Sequence, residues 1–349
     1  MKRTKKTVKL SIQMKRKVAA KQKKTKQYDG SVGKVISTGS TLLNLAISGG
    51  RVRGGGIPAG ILVEIFGPSG SGKTVLLSEL AGAVQRQHGQ VMFCDPEARL
   101  NKQFARIFGL DTDKMDYDKP DTVPKVFKAV RDWAPKGKGI HAVFADSLAA
   151  LSTDLEMGKD EGDKMGMRRA KEFSEELRKT CRILANENHL MVCSNQIRQN
   201  LDAGPYGQRY KSPGGEAIGF YSSLRLRASK PRKIKEKRKV AGKEVTRIIG
   251  VQTDIEVFKS SVWKPFRTAP VTIIFNYGVD DIRENLQFVK DYTKNTVYSV
   301  NDTTLENAIN DSIAIVEEDG LVNTLQEQVI DLWEKIESRF ETDRKAKIR

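Results

Sequence analysis

Cysteine, histidine and long apolar runs are all scarce in this chain of 349 residues. Cys94, Cys181 and Cys193 lie far apart, each within or beside apolar residues, with no CxxC and no nearby pair of histidines. That pattern excludes a disulfide framework, argues against a zinc site and leaves three reduced core thiols. His88, His141 and His189 are equally isolated along the chain and read as structural. No apolar run approaches the roughly 20 residues of a bilayer span. The first residues also lack the apolar core of a signal peptide. The expectation is therefore a cytoplasmic protein with no membrane partner. Acids are in deficit, with 43 Asp and Glu against 61 Lys and Arg, a formal net charge of +18 and a pI near 9.7. Such an excess calls for a polyanionic partner, nucleic acid ahead of an acidic membrane surface. The 38% of apolar residues is enough to fill one α/β core with one or two small appendages.

The acid deficit is steepest in residues 1–34, where Asp29 is the single acid among lysines and arginines. A block of this kind repels itself and has little apolar surface to bury, so it is expected to be largely disordered when free. It reads as a phosphate-binding arm, as a solvated tail, or as a short helix at Val18-Ala19-Ala20 that docks on a neighbouring subunit.

What the chain does have is Gly67-Pro68-Ser69-Gly70-Ser71-Gly72-Lys73-Thr74. The apolar run Ile61-Leu62-Val63-Glu64-Ile65-Phe66 before it predicts a buried parallel strand, and Val75-Leu76-Leu77-Ser78-Glu79-Leu80-Ala81 after it predicts a helix. Strand, glycine loop and helix form the context that the phosphate-loop pattern G-x-x-x-x-G-K-[ST] requires. Triphosphate oxygens must be held by backbone N–H groups at close range, and glycines supply clearances that a Cβ would block. The helix then points its positive end at the anion. Lys73 is placed to reach the β- and γ-phosphates of ATP, and the Thr74 hydroxyl to sit on Mg2+.

Three more apolar runs end in polar groups. Residues 90–95 lead into Pro96-Glu97, and in an open parallel sheet the ligand lies beyond the carboxyl ends of the strands. Glu97 there can polarise a water for attack on the γ-phosphate, or instead cap the next helix or pair with Arg99. Residues 140–145 lead into Asp146, the acid of a Walker-B strand that supports Mg2+. Residues 190–194 lead into Asn195-Gln196, an amide that can report whether a γ-phosphate is present.

This succession resembles the RecA-type homologous recombinases of bacteria and their viruses. The resemblance rests on Ile36-Ser37-Thr38-Gly39-Ser40, the phosphate loop, Asp95-Pro96-Glu97, Asp146-Ser147, Met165-Gly166, Asn195-Gln196-Ile197-Arg198 and Gly214-Gly215-Glu216-Ala217-Ile218-Gly219-Phe220-Tyr221. It runs in order from residue 35 to residue 270 and fades beyond. It implies an α/β fold: a RecA-like P-loop ATPase core at 35–270 with a mostly parallel central sheet, a basic arm at 1–34 and a small α/β lobe at 271–349. The implied activity is that of a DNA-dependent ATPase forming a helical filament on single-stranded DNA and exchanging strands with homologous duplex, with ATP and Mg2+ as cofactors. Single-strand-binding or mediator proteins are implied as accessory partners, and association with DNA in the cytoplasm, the host's if the protein is viral, as location.

Carried onto matching positions, Lys73 and Thr74 bind phosphate and Mg2+, Glu97 activates water, Asp146 supports the metal and Gln196 senses the γ-phosphate. Phe104 matches the aromatic that stacks on adenine, with Asn101 where an Asp is usual. Two loops are expected on DNA. Residues 156–167 bring Lys164, Met165 and Gly166, with Arg168 and Arg169 following. Residues 198–214 bring Arg198, Tyr206, Arg209, Tyr210 and Lys211, with Gly214 and Gly215 at the end. Cations beside aromatics make a sequence-tolerant single-strand site.

Lys259 matches the first of two lysines that reach the neighbouring subunit's γ-phosphate, and Ser261 replaces the second, with Lys264 and Arg267 nearby. Residues 222–228 and 246–257 read as strands around a basic excursion at 230–243, either an extension of the DNA track or a solvated hairpin. At the C-terminus, Leu321, Leu325, Val329, Leu332 and Ile336 predict one apolar helical face. The alternatives to a recombinase are a ring-forming helicase on the same ATPase core and a non-catalytic mediator or annealing paralogue.

Overall fold

The computed structural model describes residues 33–98, 100–152, 165–199, 210–211, 216–342 and 344. The basic arm and most of the two expected DNA loops, including Lys164, Tyr206, Arg209, Gly214 and Gly215, lie outside the described residues.

The chain enters through a short pair, β1 (Val35–Ile36) and β2 (Ile57–Pro58), on either side of α1 (Thr41–Ser48). Helix α1 is capped by Ser40, whose hydroxyl accepts from Leu43 N at 3.3 Å, and it is buried on every side. Full burial between the sheet and the C-terminal helices makes it a core helix.

Strand β3 (Leu62–Gly67) and helix α2 (Lys73–Arg86) bracket the glycine loop as expected. Next come β4 (Val91–Cys94), α3 (Lys102–Ile107), β5 (Met115–Asp118), α4 (Val123–Asp132), β6 (Ala142–Ala145), α5 (Met165–Glu187) and β7 (Leu190–Gln196). Strands β3, β6 and β7 are almost wholly buried because helices cover both faces, as a parallel sheet demands. On α4, Val123, Val126, Phe127 and Val130 form a buried stripe at helical spacing, and Phe127 meets Phe173 of α5 edge-on at 6.0 Å.

Two-residue strands β8 (Arg198–Gln199) and β9 (Tyr210–Lys211) pair with each other and precede α6 (Glu216–Tyr221) and β10 (Leu224–Ala228). Then follow β11 (Arg232–Val240), β12 (Lys243–Ser260), β13 (Thr268–Ile274), β14 (Gly278–Val279), α7 (Asp281–Tyr292), β15 (Ser299–Val300), β16 (Thr303–Thr304), α8 (Ile309–Glu318) and α9 (Val322–Ser338). The main sheet has the order β14-β13-β12-β10-β3-β7-β6-β4-β5, with β11 also on β12. From β10 to β5 neighbours are parallel, whereas the β12–β14 side is antiparallel. The fold is thus the expected α/β class with a largely parallel centre.

Three details refine the sequence reading, the first in favour of its hairpin alternative. The basic excursion at 230–243 is itself strand: β11 pairs with the first half of β12 through a two-residue turn at Ala241 (φ 48°) and Gly242 (φ 79°). Both turn residues are left-handed, the geometry of a tight I′ hairpin. Cross-strand pairs Lys237–Glu244 (2.8 Å) and Arg232–Asp254 (2.6 Å) line the ribbon and extend the pairing beyond the apolar segments. Secondly, the buried stripe of α9 is Leu325, Val329, Ile330 and Trp333, rotated from the expected one so that Trp333 meets Trp263 at 5.3 Å. Thirdly, β13 spans residue 270 and the sheet continues to Val279. Among the described residues no helix is long and apolar enough to cross a membrane.

Candidate active site

The phosphate loop leaves β3 at Gly67 and returns into α2 through Gly72, which is left-handed at φ 85°. Gly67 is packed against the end of β10: a Cβ there would stand 2.6 Å from Ala228 O. The loop therefore has no room for a side chain at Gly67 and no easy alternative to glycine at Gly72. Lys73 is buried, and its ammonium turns back into the loop, donating to Gly67 O at 3.1 Å and Pro68 O at 2.7 Å. Burial pushes its pKa down from 10.5, opposed by the charges of Asp146 and Glu97. Ser71 closes the turn, its hydroxyl donating to Pro68 O at 2.8 Å.

Register brings the other groups to the same edge. Gly67 is level with Gln196 at the tip of β7, and Ala145, the last residue of β6, lies level with Cys193 of β7 and Cys94 of β4. Asp146 follows β6, and its Oδ2 accepts from the Thr74 hydroxyl at 2.6 Å. Its other oxygen accepts from the Ser194 hydroxyl. Glu97 lies beyond β4, and its Oε1 accepts from the Ser147 hydroxyl at 3.5 Å. Asp95, just before it, is buried and accepts from Leu100 N at 2.8 Å and the Tyr117 hydroxyl at 2.9 Å, which fixes the turn that presents Glu97. Glu97 does not cap the following helix, because Asn101 does so.

Asn101 and Phe104 follow, at the N-cap and in the first turn of α3. The Asn101 amide oxygen accepts from Gln103 N at 2.8 Å and Phe104 N at 3.4 Å. Its carbonyl is thus committed to the helix, leaving the NH2 group as the donor. Phe104 is 37% exposed and braced edge-on by Phe108 at 4.7 Å, an aromatic face open to a planar ligand.

Lys259 is placed elsewhere, on β12, where its ammonium donates to Gly219 O at 2.8 Å and Phe220 O at 2.9 Å at the end of α6. Lys264 and Arg267 are engaged with the C-terminal helix: Arg267 grips Glu337 with two nitrogens at 3.1 and 2.7 Å, and Lys264 approaches the same carboxylate at 3.7 Å. Of the expected DNA residues, Met165, Gly166 and Arg168 fall in the first turn of α5, Arg198 in β8 and Lys211 in β9. Arg169 donates to Ala149 O at 2.8 Å, tying α5 to the chain after β6.

Sequence reading missed Ser194 and Ser147, which hold the two acids. Ser194 had a signal: it stands two before Gln196, on the same face of a strand. Among the described residues no three His, Cys, Asp or Glu groups converge. The residues fit a nucleotide: a cradle that a Cβ would fill at Gly67, a buried ammonium hydrogen-bonded to loop carbonyls, and a hydroxyl–carboxylate pair of hard oxygen donors.

A glycine cradle, Lys-Thr and strand-tip acids on adjacent parallel strands define a P-loop NTPase fold. Residues 9–280 match the family model described as the RecA N-terminal domain. The chain is 35% identical over 262 residues to Protein RecA of Anaplasma marginale (strain Florida), covering 75% of this chain and 68% of that one. It is 34% identical over 249 residues to Protein RecA of Wolbachia sp. subsp. Brugia malayi (strain TRS), covering 71% and 66%. Against Protein RecA of Ehrlichia canis (strain Jake) it is 35% identical over 262 residues, covering 74% and 69%. The chain belongs to the RecA family, and the matched segment spans about two thirds of the length of these relatives.

Proposed function

We propose that the protein is a DNA-dependent ATPase that assembles as a helical filament on single-stranded DNA and promotes homologous pairing and strand exchange in recombination and repair. The observation that carries this is the convergence of Lys73, Thr74, Glu97, Asp146 and Gln196 at the carboxyl ends of β3, β4, β6 and β7, in a member of the RecA family.

Residue roles follow from position. Lys73 leaves its loop carbonyls for the β- and γ-phosphates, which restore the full charge that burial disfavours. Glu97, steadied by Ser147, holds and polarises the attacking water. Gln196, level with Gly67, hydrogen-bonds the γ-phosphate and feels its loss. Phe104 stacks on the base and the Asn101 NH2 donates to it. Thr74 and Asp146 would hold Mg2+, which would supply charge neutralisation for the phosphoryl group in transfer. Lys259, or Lys264 beside it, acts on the neighbouring subunit's nucleotide after leaving its own partners, the Gly219 and Phe220 carbonyls or Glu337.

DNA contacts fall to residues 156–167 and 198–214, and the β11–β12 ribbon adds Lys233, Lys235, Lys239 and Arg247, side chains that reach solvent along one projecting hairpin. We retain the basic arm at 1–34 as a subunit or phosphate contact and residues 271–349 as the C-terminal lobe.

Electron microscopy with ATP and single-stranded DNA, paired with a joint-molecule assay, tests this reading. Helical filaments that form joint molecules support it. Closed six-fold rings with directional unwinding contradict it in favour of a helicase.

A further inference from the structure

Glu64, in the middle of β3, is fully buried at 0% exposure, and no step assigned above uses it. Its Oε2 accepts from Arg225 Nε of β10 at 2.6 Å, and its Oε1 from Asn195 Nδ2 of β7 at 3.0 Å. The Arg225 guanidinium lies over the rings of Phe66, at 4.5 Å, and Phe258, at 5.4 Å, which meet edge-on. A buried ion pair is weak evidence for stability, because desolvation offsets most of its attraction and apolar residues of equal volume serve as well. What this pair has that an apolar pair lacks is direction, since each partner fixes the other's position and that of whatever else it touches.

What it touches sits at two functional ends. Asn195 lies between Ser194, which donates to Asp146, and Gln196, which is level with the phosphate loop. Strand alternation turns Asn195 to the opposite face, so its amide anchors the β7 tip to Glu64 from behind. On the far side, Arg225 pairs across the sheet with Lys259 and packs against α6, where a Cβ on Gly219 would stand 2.8 Å from its Nη1. Lys259 in turn holds the carbonyls of Gly219 and Phe220.

We propose that Asn195, Glu64 and Arg225 form a positioning relay through the sheet, which couples the state of the β7 tip at the nucleotide to the placement of α6 and Lys259. Their role is positional: they set where Gln196 and Lys259 stand. The relay rests on the reading of Lys259 and Gln196 given under Proposed function.

Two variants test it from opposite ends. Glu64→Gln keeps shape and removes the charge that fixes Arg225. Gly219→Ala, acceptable to a helical backbone, crowds the same guanidinium. The readouts are affinity for a fluorescent ATP analogue, the ratio of hydrolysis with to without single-stranded DNA, and amide exchange over residues 216–221 with and without a slowly hydrolysed ATP analogue. The relay predicts nucleotide affinity within about threefold of the parent, a stimulation ratio lower by about tenfold, and loss of the nucleotide-dependent change in exchange, the size of a typical allosteric coupling. An unchanged ratio in both variants overturns it, as does exchange over 216–221 in the parent protein that ignores nucleotide. If Glu64→Gln fails to fold, Gly219→Ala decides. If the parent's hydrolysis ignores DNA, the recombinase reading fails, and the exchange measurement alone then decides the relay.

Discussion

The Thr74 hydroxyl donates to Asp146 Oδ2 at 2.6 Å, joining the start of α2 to the tip of β6. Ser194 holds the other carboxylate oxygen from β7, so three neighbouring elements meet at one acid. These two hydrogen bonds fix the orientation of the Asp146 carboxylate beside the phosphate loop.

Asp146→Asn keeps the side-chain shape and removes the charge and one of the two acceptor oxygens. It should raise the Mg2+ concentration needed for half-maximal hydrolysis and lower the maximal rate by about a hundredfold, the usual scale for losing one preorganised electrostatic group. An Mg2+ titration of the hydrolysis rate checks this. A normal titration curve would remove Asp146 from the metal site.

Lys73 has its pKa lowered by burial, so its ammonium costs stability wherever it stays charged. A lysine with a depressed folded pKa gains folding stability only as the pH rises through that value towards 10.5. Near neutral pH, Lys73→Met should therefore raise the melting midpoint of the ligand-free protein by a few degrees, on the order expected for ~1 kcal/mol. It should also abolish the stabilisation that ATP gives the parent. A lower midpoint without ligand would show that the two loop hydrogen bonds outweigh desolvation.

His141 and His189, isolated in sequence, meet at 5.8 Å beneath the Trp133 ring at the amino ends of β6 and β7. Burial lowers the pKa of His189 below 6.5, His141 adds to this and Glu187 opposes it. His141 accepts from Gln90 N, and Trp133 donates to Asp116. The sign follows: the stability is whole above pH 6.5 and falls as the pH drops through the lowered value, by at most about 1.4 kcal/mol per pH unit. Thermal melts between pH 7.5 and 5.5 should show the loss, and His189→Gln should flatten it. Equal slopes in parent and variant would assign the pH dependence to other groups.

Phe104 is half-buried against Phe108 and contributes little to the core. Phe104→Ala should raise the KM for ATP several-fold, on the scale of ~1 kcal/mol for an aromatic stack, with kcat and melting midpoint nearly unchanged. A matched fall in kcat and midpoint would make it a packing residue instead.

Much of the site was legible because each element carries its own local signal. The phosphate loop, Glu97, Asp146 and Gln196 all sit where an apolar run ends, and parallel strands bring such ends together. Long-range partners carry no such signal. Glu64 looks like an odd acid in a buried strand until Arg225 and Asn195 are brought beside it. The 230–243 segment reads from sequence as either a DNA track or a solvated hairpin, and pairing with β12 and cross-strand ion pairs make it the hairpin. Asn101 reads as a base contact, and only the start of α3 reveals its carbonyl as a cap. The buried stripe of α9 is set by Trp263, which lies 70 residues before Trp333 in sequence and could not be paired with it from spacing.

The central claim is that one site both binds ATP and answers to DNA. Steady-state ATP hydrolysis with and without single-stranded DNA, with Lys73→Ala as control, tests it directly. Strong stimulation by DNA, abolished in the control, is the predicted result. Hydrolysis that is absent or indifferent to DNA, while DNA binding persists, would contradict the account and leave a mediator or annealing protein.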